Sequence, residues 1–578
     1  MKRKLKAYLF LSLLLSYPSL HAQLTDSVMQ HIEETLRPVT SPEAPGCSAA
    51  IVKDGKILYQ SANGLADVSS GRVVGIHDLY QVDAIAKQFT SLAFLQLLQV
   101  YKIKATEDIS TFLPQLKDYN YPIQIRHVLH HTTGLDDYKL VAQVRGDGYN
   151  NRYLHLNNED ALGLISLQER LSHKPGSEFS IFDADTESVL MAAIIEEVSD
   201  TSFSAFVKEH VFEVLGLEDA RFIDDPSYLY DAKANSYRVD DEVYHSITDV
   251  NEIVGPGNLF ISIADMAKWY QYFSPKCTKP GHELVKQLDD VCLNDLGETY
   301  QSSWGEMTIG RSYFHYESGA PLYWQFGVRS GYGANVFRYF SKDVTSIVLG
   351  NNNQYNGYYA MTLVEPLVRD AYTRNRSVTL DDIISVDMPT SQKVRWEGVY
   401  HDFSSGFSRE ITFEKDTLRY VRGSRSINLI PIGEGEFQAE MQSDDILIFR
   451  FNEEQGRKFY EVVTGDSDPV VYNMIDENFL PNEEDIASCA GVYIHEGLGE
   501  LIKIYQDEEG LQIRHSAIGS HALRSIKKDV YASDVYVMSG VEFQRRDGVV
   551  VALRFRAPGM QSMYFKKVAP VSSAFNKI

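Results

Sequence analysis

The tetrapeptide Glu397-Gly398-Val399-Tyr400 returns as Ala490-Gly491-Val492-Tyr493, and Asp416-Thr417-Leu418-Arg419 returns as Glu509-Gly510-Leu511-Gln512, both displaced by 93 positions. Equal displacement at two separate places indicates two copies of one unit in the last third of the chain. The unit is too long for a solenoid repeat. Each copy carries alternating runs such as ILIFRF at Ile446–Phe451 and VVVALRF at Val549–Phe555, the period of half-buried strands. The repeat therefore predicts two small all-β, barrel-like domains, over residues 390–480 and 481–578. At this size side chains usually fill a barrel's interior, so packing rather than ligand storage is expected inside.

The preceding residues, 23–385, follow a different pattern. Two apolar runs flank Asp54-Gly55 between Gly46 and Ala66, a strong hairpin signal. From Ile85 to Val100 the residues Ile85, Phe89, Leu92, Leu95 and Leu98 recur at three- or four-residue spacing, which predicts a helix with a buried face. Further apolar helices are expected over Thr186–Val198 and over Ser202–Leu215, the latter stopped by Gly216. Strands return at Asn335–Leu349 around a turn at Ser341–Asp343. Strands on both sides of a helical middle specify an α+β unit.

The first 22 residues read as a secretory signal peptide: Lys2, Arg3, Lys4 and Lys6, an apolar run from Ala7 to Leu15, and a cut after Ala22. That run is too short to span a bilayer, so the expected mature protein is periplasmic or secreted, without stable membrane insertion. With 79 acidic against 55 basic residues, the net charge of −24 disfavours a nucleic-acid partner. An oxidising compartment permits a Cys277–Cys292 disulfide. Nothing in the sequence calls for a cofactor.

The predicted helix is preceded by Tyr80-Gln81-Val82-Asp83-Ala84-Ile85-Ala86-Lys87-Gln88-Phe89-Thr90. This segment resembles the active-site segment of the serine β-lactamase and penicillin-binding-protein superfamily, in the branch of exported hydrolases similar to class C enzymes and DD-peptidases. Lys102–Pro114 (KIKATEDISTFLP), Ile125–Leu135 (IRHVLHHTTGL), Pro175-Gly176, Leu215-Gly216-Leu217 and Asn258-Leu259 running into Ser262–Trp269 resemble further landmarks in the same order. The resemblance covers about residues 25–370 and implies an antiparallel sheet flanked by helices, with a helical subdomain. The β-domains resemble appendages of such proteins, lipocalin-like in outline.

In that superfamily Ser-x-x-Lys opens the buried helix; the Ser attacks a carbonyl and the Lys helps remove its proton. The resemblance assigns the Lys to Lys87 and the nucleophile position to Ala84. The Tyr-x-Asn element falls on Asp183-x-Asp185 or Ile181-x-Asp183, without the Tyr in either register. The Lys/His-Ser/Thr-Gly element of the site strand is best matched by Arg329-Ser330-Gly331, whose planar guanidinium suits a carboxylate. A methyl group cannot attack a carbonyl, and loss of the serine alone in such a catalytic unit costs on the order of 10⁶-fold in turnover, about 8 kcal/mol of barrier.

These residues imply an exported family member that no longer hydrolyses by the usual route and keeps its cleft to bind a cell-wall peptide or small carboxylate, or as a scaffold. Two alternatives stand beside this. One is a hydrolase of altered mechanism, with Asp183 or Asp185 activating water and Lys87 stabilising the oxyanion. The other is a structural envelope protein working through its β-domains. Lys87 serves equally as a retained base or as a cation paired with Asp83. Asp183 and Asp185 also suit a hard cation, but no further acidic ligand has the spacing for it. His127, His130 and His131 have metal-like spacing, although the resemblance gives His131 a turn-stabilising role; no metal is expected. Ser91 and Ser330 are the substitute nucleophiles to inspect.

Overall fold

The computed structural model describes residues 24–569, apart from 148–155, 181–184, 226–231, 241–242, 248–252, 303–304, 318–319, 354–356, 373–382, 404–405, 423–424, 441–446, 465–468, 476–480 and 509. The signal-peptide segment and Asp183 lie outside the described residues. Asp54 and Gly55, both left-handed at φ 51° and 70°, make the two-residue turn that folds Cys47–Lys53 back onto Lys56–Asn63. This hairpin is one edge of an eight-stranded antiparallel sheet, continued by Val344–Gly350, Tyr332–Tyr339, Ala320–Arg329, Tyr313–Glu317, Gly305–Met307 and Gln301–Ser302.

Alternation along Cys47–Lys53 divides the interior. Cys47, Ala49 and Ile51 enter a small core with Ile32, Leu36 and Met361 from the terminal helices Asp26–Leu36 and Tyr358–Leu363. Ala50 and Val52 enter the large core on the opposite face. There the helix Ala86–Tyr101 is buried all round in its first two turns, more than one apolar stripe requires. Its polar side chains are bonded inside: Trp269 donates to Gln88 (2.8 Å), Gln88 to Ser312 (3.0 Å) and Thr90 to the Gly255 carbonyl (2.7 Å). The helical subdomain contains Ile125–Leu129, Tyr138–Val144, Asn158–Ser166 and Asp185–Ser199.

The two repeats have matching architecture. A short helix, Thr390–Val394 or Glu483–Cys489, precedes each first strand, Gly398–His401 or Gly491–His495. The repeat's tyrosine then turns back into the barrel and donates to the carbonyl four residues earlier: Tyr400 to Trp396 (2.9 Å) and Tyr493 to Cys489 (2.6 Å). The first repeat is a closed eight-stranded barrel. In the second, the counterpart of the continuous strand Arg425–Gly433 is broken into Gly519–Ala522 and Arg524–Lys527, leaving a nine-stranded, nearly closed barrel. Aromatic and aliphatic side chains, among them Phe437, Phe451, Phe543 and Phe565, fill both.

The second barrel, although later in sequence, is the one that packs on the helical subdomain. Its core is continuous with that of Tyr138–Val144, and Asp136 accepts the backbone N–H groups of Gln561 (2.9 Å) and Ser562 (3.1 Å). His515 shares a hydrogen bond with the Val144 carbonyl (2.7 Å). The first barrel leans on the second through Val399, Ile475, Ile526 and Ala532. The Cys277–Cys292 disulfide that the sequence permits is not formed: all four cysteines are free. Burial pushes the Cys292 thiol up to about 12, which suppresses its thiolate.

Tyr400→Phe and Tyr493→Phe each remove the equivalent buried hydroxyl and strand a carbonyl. Each is expected to lower stability by a similar amount, about 1–2 kcal/mol in urea unfolding; a large inequality would show that the two bonds are not equivalent.

Candidate active site

Ala84 stands in the one-turn 3-10 segment Asp83–Ile85, immediately before the helix Ala86–Tyr101. Asp83 is left-handed, at φ 42°. The neighbouring strand comes so close that a Cβ on Gly327 would lie 2.0 Å from the Val82 carbonyl oxygen and 3.1 Å from the Ala84 nitrogen. Only glycine permits that approach. Between strand and helix lies a cavity of about 160 Å³, lined by Ala84 and Lys87, by Asp83, Lys139, Asp185 and Arg311, and by the strand residues Gln325 to Val328.

The dominant feature is an ion triad. Lys87 Nζ lies 2.5 Å from Asp185 Oδ1, both side chains 3% exposed, and Lys139 pairs with Asp185 Oδ2. Burial opposes the charge on Asp185, but Lys139 and Lys87 outweigh it and hold its carboxyl well below the usual carboxylate range. Burial also opposes the Lys139 charge; Asp185 outweighs it and keeps that ammonium well above its ordinary value. Asp83 differs: burial pushes its carboxyl up despite the opposing pull of Lys139 and Arg329.

Of the residues assigned from sequence, Ala84, Lys87 and Asp185 are brought together. Arg329, Ser330 and Gly331 are not on the cavity floor: the strand ends at Arg329, and Ser330 and Gly331, at φ 47° and 85°, turn the chain into Tyr332–Tyr339. The strand positions facing Ala84 are held by Gln325-Phe326-Gly327-Val328 instead. A Ser-Gly turn and the superfamily's site-strand element share the same residue types, so the two are alike by letter and differ by place. Arg329 still acts at a distance, its charge reaching Asp83 and Tyr138.

Ser91 is committed to the Ile309 carbonyl (2.9 Å) and is 1% exposed, so it is no substitute nucleophile. The three histidines have separate roles. His127 Nδ1 accepts from the Gln124 N–H (3.0 Å) and His130 Nδ1 from the Leu293 N–H (3.1 Å). His131 is left-handed at φ 54° and its carbonyl accepts from Ser180 (2.7 Å), a turn role; burial drives its ring well below the ordinary histidine value. Among the described residues no group of three His, Cys, Asp or Glu is placed to hold a metal. Lys139 and Arg311 were not found from sequence. Lys139 carried one faint signal, its place just beyond the Thr-Gly-Leu of the Ile125–Leu135 motif; Arg311 carried none.

Chemically, the site presents three cations, two carboxyl groups and a methyl group where a nucleophile would be. Among the described residues no helix is long and apolar enough to cross a membrane. Penicillin-binding protein 4* of Bacillus subtilis (strain 168) is 27% identical over 328 residues, covering 53% of this chain and 67% of that protein. The teichoic acid D-alanine hydrolase of Staphylococcus aureus (strain MRSA252) is 25% identical over 252 residues, covering 42% of this chain and 60% of the relative. The octameric penicillin-binding protein homologue from Pyrococcus abyssi has a similar fold, at TM-score 0.51 and 19% identity, over 77% of this chain and 99% of that one. The Beta-lactamase family model matches residues 26–364. That match spans more than half of the sequence and falls on the unit that encloses Ala84 and Lys87: the chain belongs to the Beta-lactamase family.

Proposed function

We propose that this protein is a non-hydrolytic member of its family, an exported cell-envelope protein whose cleft binds a small carboxylate such as the end of a cell-wall peptide. The observation that carries this reading is the coincidence of Ala84 with a Lys87 tied to Asp185. A nucleophile must be an atom with a lone pair, and its general base must offer a free lone pair to accept the proton. Here the first is a methyl carbon and the second is an ammonium held by a buried carboxylate. Asp185 beside Lys87 also favours the register in which Tyr-x-Asn reads Asp183-x-Asp185.

The cavity's charges support the ligand class. Lys87, Lys139 and Arg311 face Asp185 and Asp83, so cations predominate, and the Arg329 charge adds to them. A carboxylate is the complementary group. The relatives named for penicillin and for D-alanine release suggest D-alanyl ends, and we extend that chemistry to this chain as binding alone. A hydrolase using Asp185 to activate water is disfavoured by the same triad, because a carboxylate stabilised by two ammonium groups is a weak base.

Three outcomes test this. A fluorophosphonate leaves the wild type unlabelled; Ala84→Ser alone labels slowly because Lys87 is tied to the Asp185 carboxylate, and adding Asp185→Asn speeds labelling on the order of tenfold or more. Labelling of the wild type would refute the reading. In calorimetry an Ala-Ala-ended peptide binds, and Arg311→Gln, which removes a cation lining the cavity, weakens it about tenfold, or about 1.4 kcal/mol; no heat from either protein removes this ligand class.

The third outcome concerns the triad itself. Asp185→Asn is expected to destabilise by about 3–5 kcal/mol at pH 7, since two ammonium groups lose their counter-ion. The lowered Asp185 carboxyl contributes stability that is present above the ordinary value of about 3.9 and lost as pH falls below it. Wild type should therefore lose stability more steeply than Asp185→Asn below about pH 4. The raised Lys139 contributes stability present below its ordinary value of about 10.4 and lost as pH rises past it. Urea unfolding across pH measures both; parallel profiles would contradict the ion triad.

A further inference from the structure

A second cavity lies where the second barrel meets the helical subdomain, on the other side of the segments that carry the triad. Asp137 and Thr186 line it, whereas Lys139 and Asp185 line the first. Its volume is about 50 Å³, room for a few water-sized groups at roughly 10–15 Å³ each. The hairpin tip Gly559 to Gln561 of the barrel and the carboxyl-bearing Asp136, Asp137, Glu178 and Glu187 are among its lining residues. No lysine or arginine is among the lining residues.

The carboxylates differ in how they are satisfied. Asp136 is fully engaged, receiving the Ser172 and Ser562 hydroxyls as well as the Gln561 and Ser562 amides. Glu187 is 1% exposed; its Oε1 accepts from the Thr133 and Ser180 hydroxyls, both at 2.7 Å, while Oε2 has no hydrogen-bond partner. Native interiors rarely leave a buried carboxylate oxygen without a donor, because its lost hydration is not replaced. An acidic pocket with one such oxygen calls for a donor that is also a cation.

No three of these carboxyl groups converge as a metal cluster among the described residues. A primary ammonium group fits better: it supplies three N–H donors on a compact charge, and a short alkyl stem suits the space beside Met560. We propose that this pocket is a binding site for a primary ammonium group, with Glu187 as its principal acceptor and the second barrel as its lid. The site stands apart from the carboxylate reading of the Lys87 cavity and survives if that reading fails. It also gives the second barrel a part in recognition, since without the Gly559 to Gln561 tip the pocket has no outer wall.

The test is titration of the full chain with ethylammonium chloride, followed by NMR or calorimetry, with tetramethylammonium at equal ionic strength as the control. Ethylammonium should bind saturably in the millimolar range, the ceiling for so small a ligand, and tetramethylammonium, which has no N–H donor, should bind at least fivefold more weakly. Glu187→Gln keeps Oε1 as acceptor and should weaken ethylammonium at least fivefold with an unchanged melting profile. Absence of saturable binding, equal binding of the two cations, or equal binding by a folded Glu187→Gln would overturn the proposal. If Glu187→Gln does not fold, the exposed Glu178→Gln decides it: at least twofold weakening supports the site and unchanged binding overturns it.

Discussion

Asp185 is the charge on which the site's geometry depends. Lys87 reaches the cavity from the helix Ala86–Tyr101 and Lys139 from the helix Tyr138–Val144, two elements of different origin in the fold. The Lys87 ammonium, buried without the carboxylate, would carry a desolvation penalty of several kcal/mol, and the carboxylate without its cations would do the same; Lys139, a third exposed, shares the pairing from the cavity's edge. The three side chains therefore fix one another's positions, and with them the separation of the two helices. An arrangement of this kind favours rigidity over chemistry. A lysine that must lose its proton in a catalytic cycle is better placed beside neutral donors than beside a fully ionised carboxylate.

The same helix, Tyr138–Val144, links the cleft to the second barrel. Its N-terminal approach is clamped by Asp136, which takes two backbone amides and a hydroxyl from the barrel strand Met560–Ala569, and its C-terminal carbonyl at Val144 meets His515. Lys139 sits one turn from that clamp. The barrel is thus part of the structure that sets the cavity's charge, not an independent module on a tether, and its core runs without interruption into that of the helical subdomain.

The two barrels share one plan and differ in detail. Both keep the inward tyrosine and its carbonyl four residues back, because that bond closes the barrel end over the preceding helix. They differ where their surroundings differ. The first barrel closes its ladder, with Tyr400 paired to Met474 and His401 to Asn473. The second breaks one strand at Leu523, whose amide returns to the Leu511 carbonyl (2.8 Å). This copy docks on the helical subdomain through residues such as His515 and Gln561.

Local pattern determined much on its own. The Asp54-Gly55 hairpin, the helix at Lys87, the helix ended by Gly216 and the 93-residue repeat were legible because each depends on neighbours in sequence: turn geometry, apolar spacing, or copied strands. The absence of a hydroxyl at Ala84 was equally legible, since it needs only one letter in a recognised segment. What tertiary structure decided was every relation across the chain. It chose Asp185 as the partner of Lys87, brought in Lys139 and Arg311, placed Gln325-Phe326-Gly327-Val328 rather than Arg329-Ser330-Gly331 along the cavity, and set the later repeat against the helical subdomain. Those outcomes follow from burial: once the segments pack, a charge must find its counter-charge and a strand must approach where only glycine leaves room. Neither requirement is written in the spacing of residues along the chain.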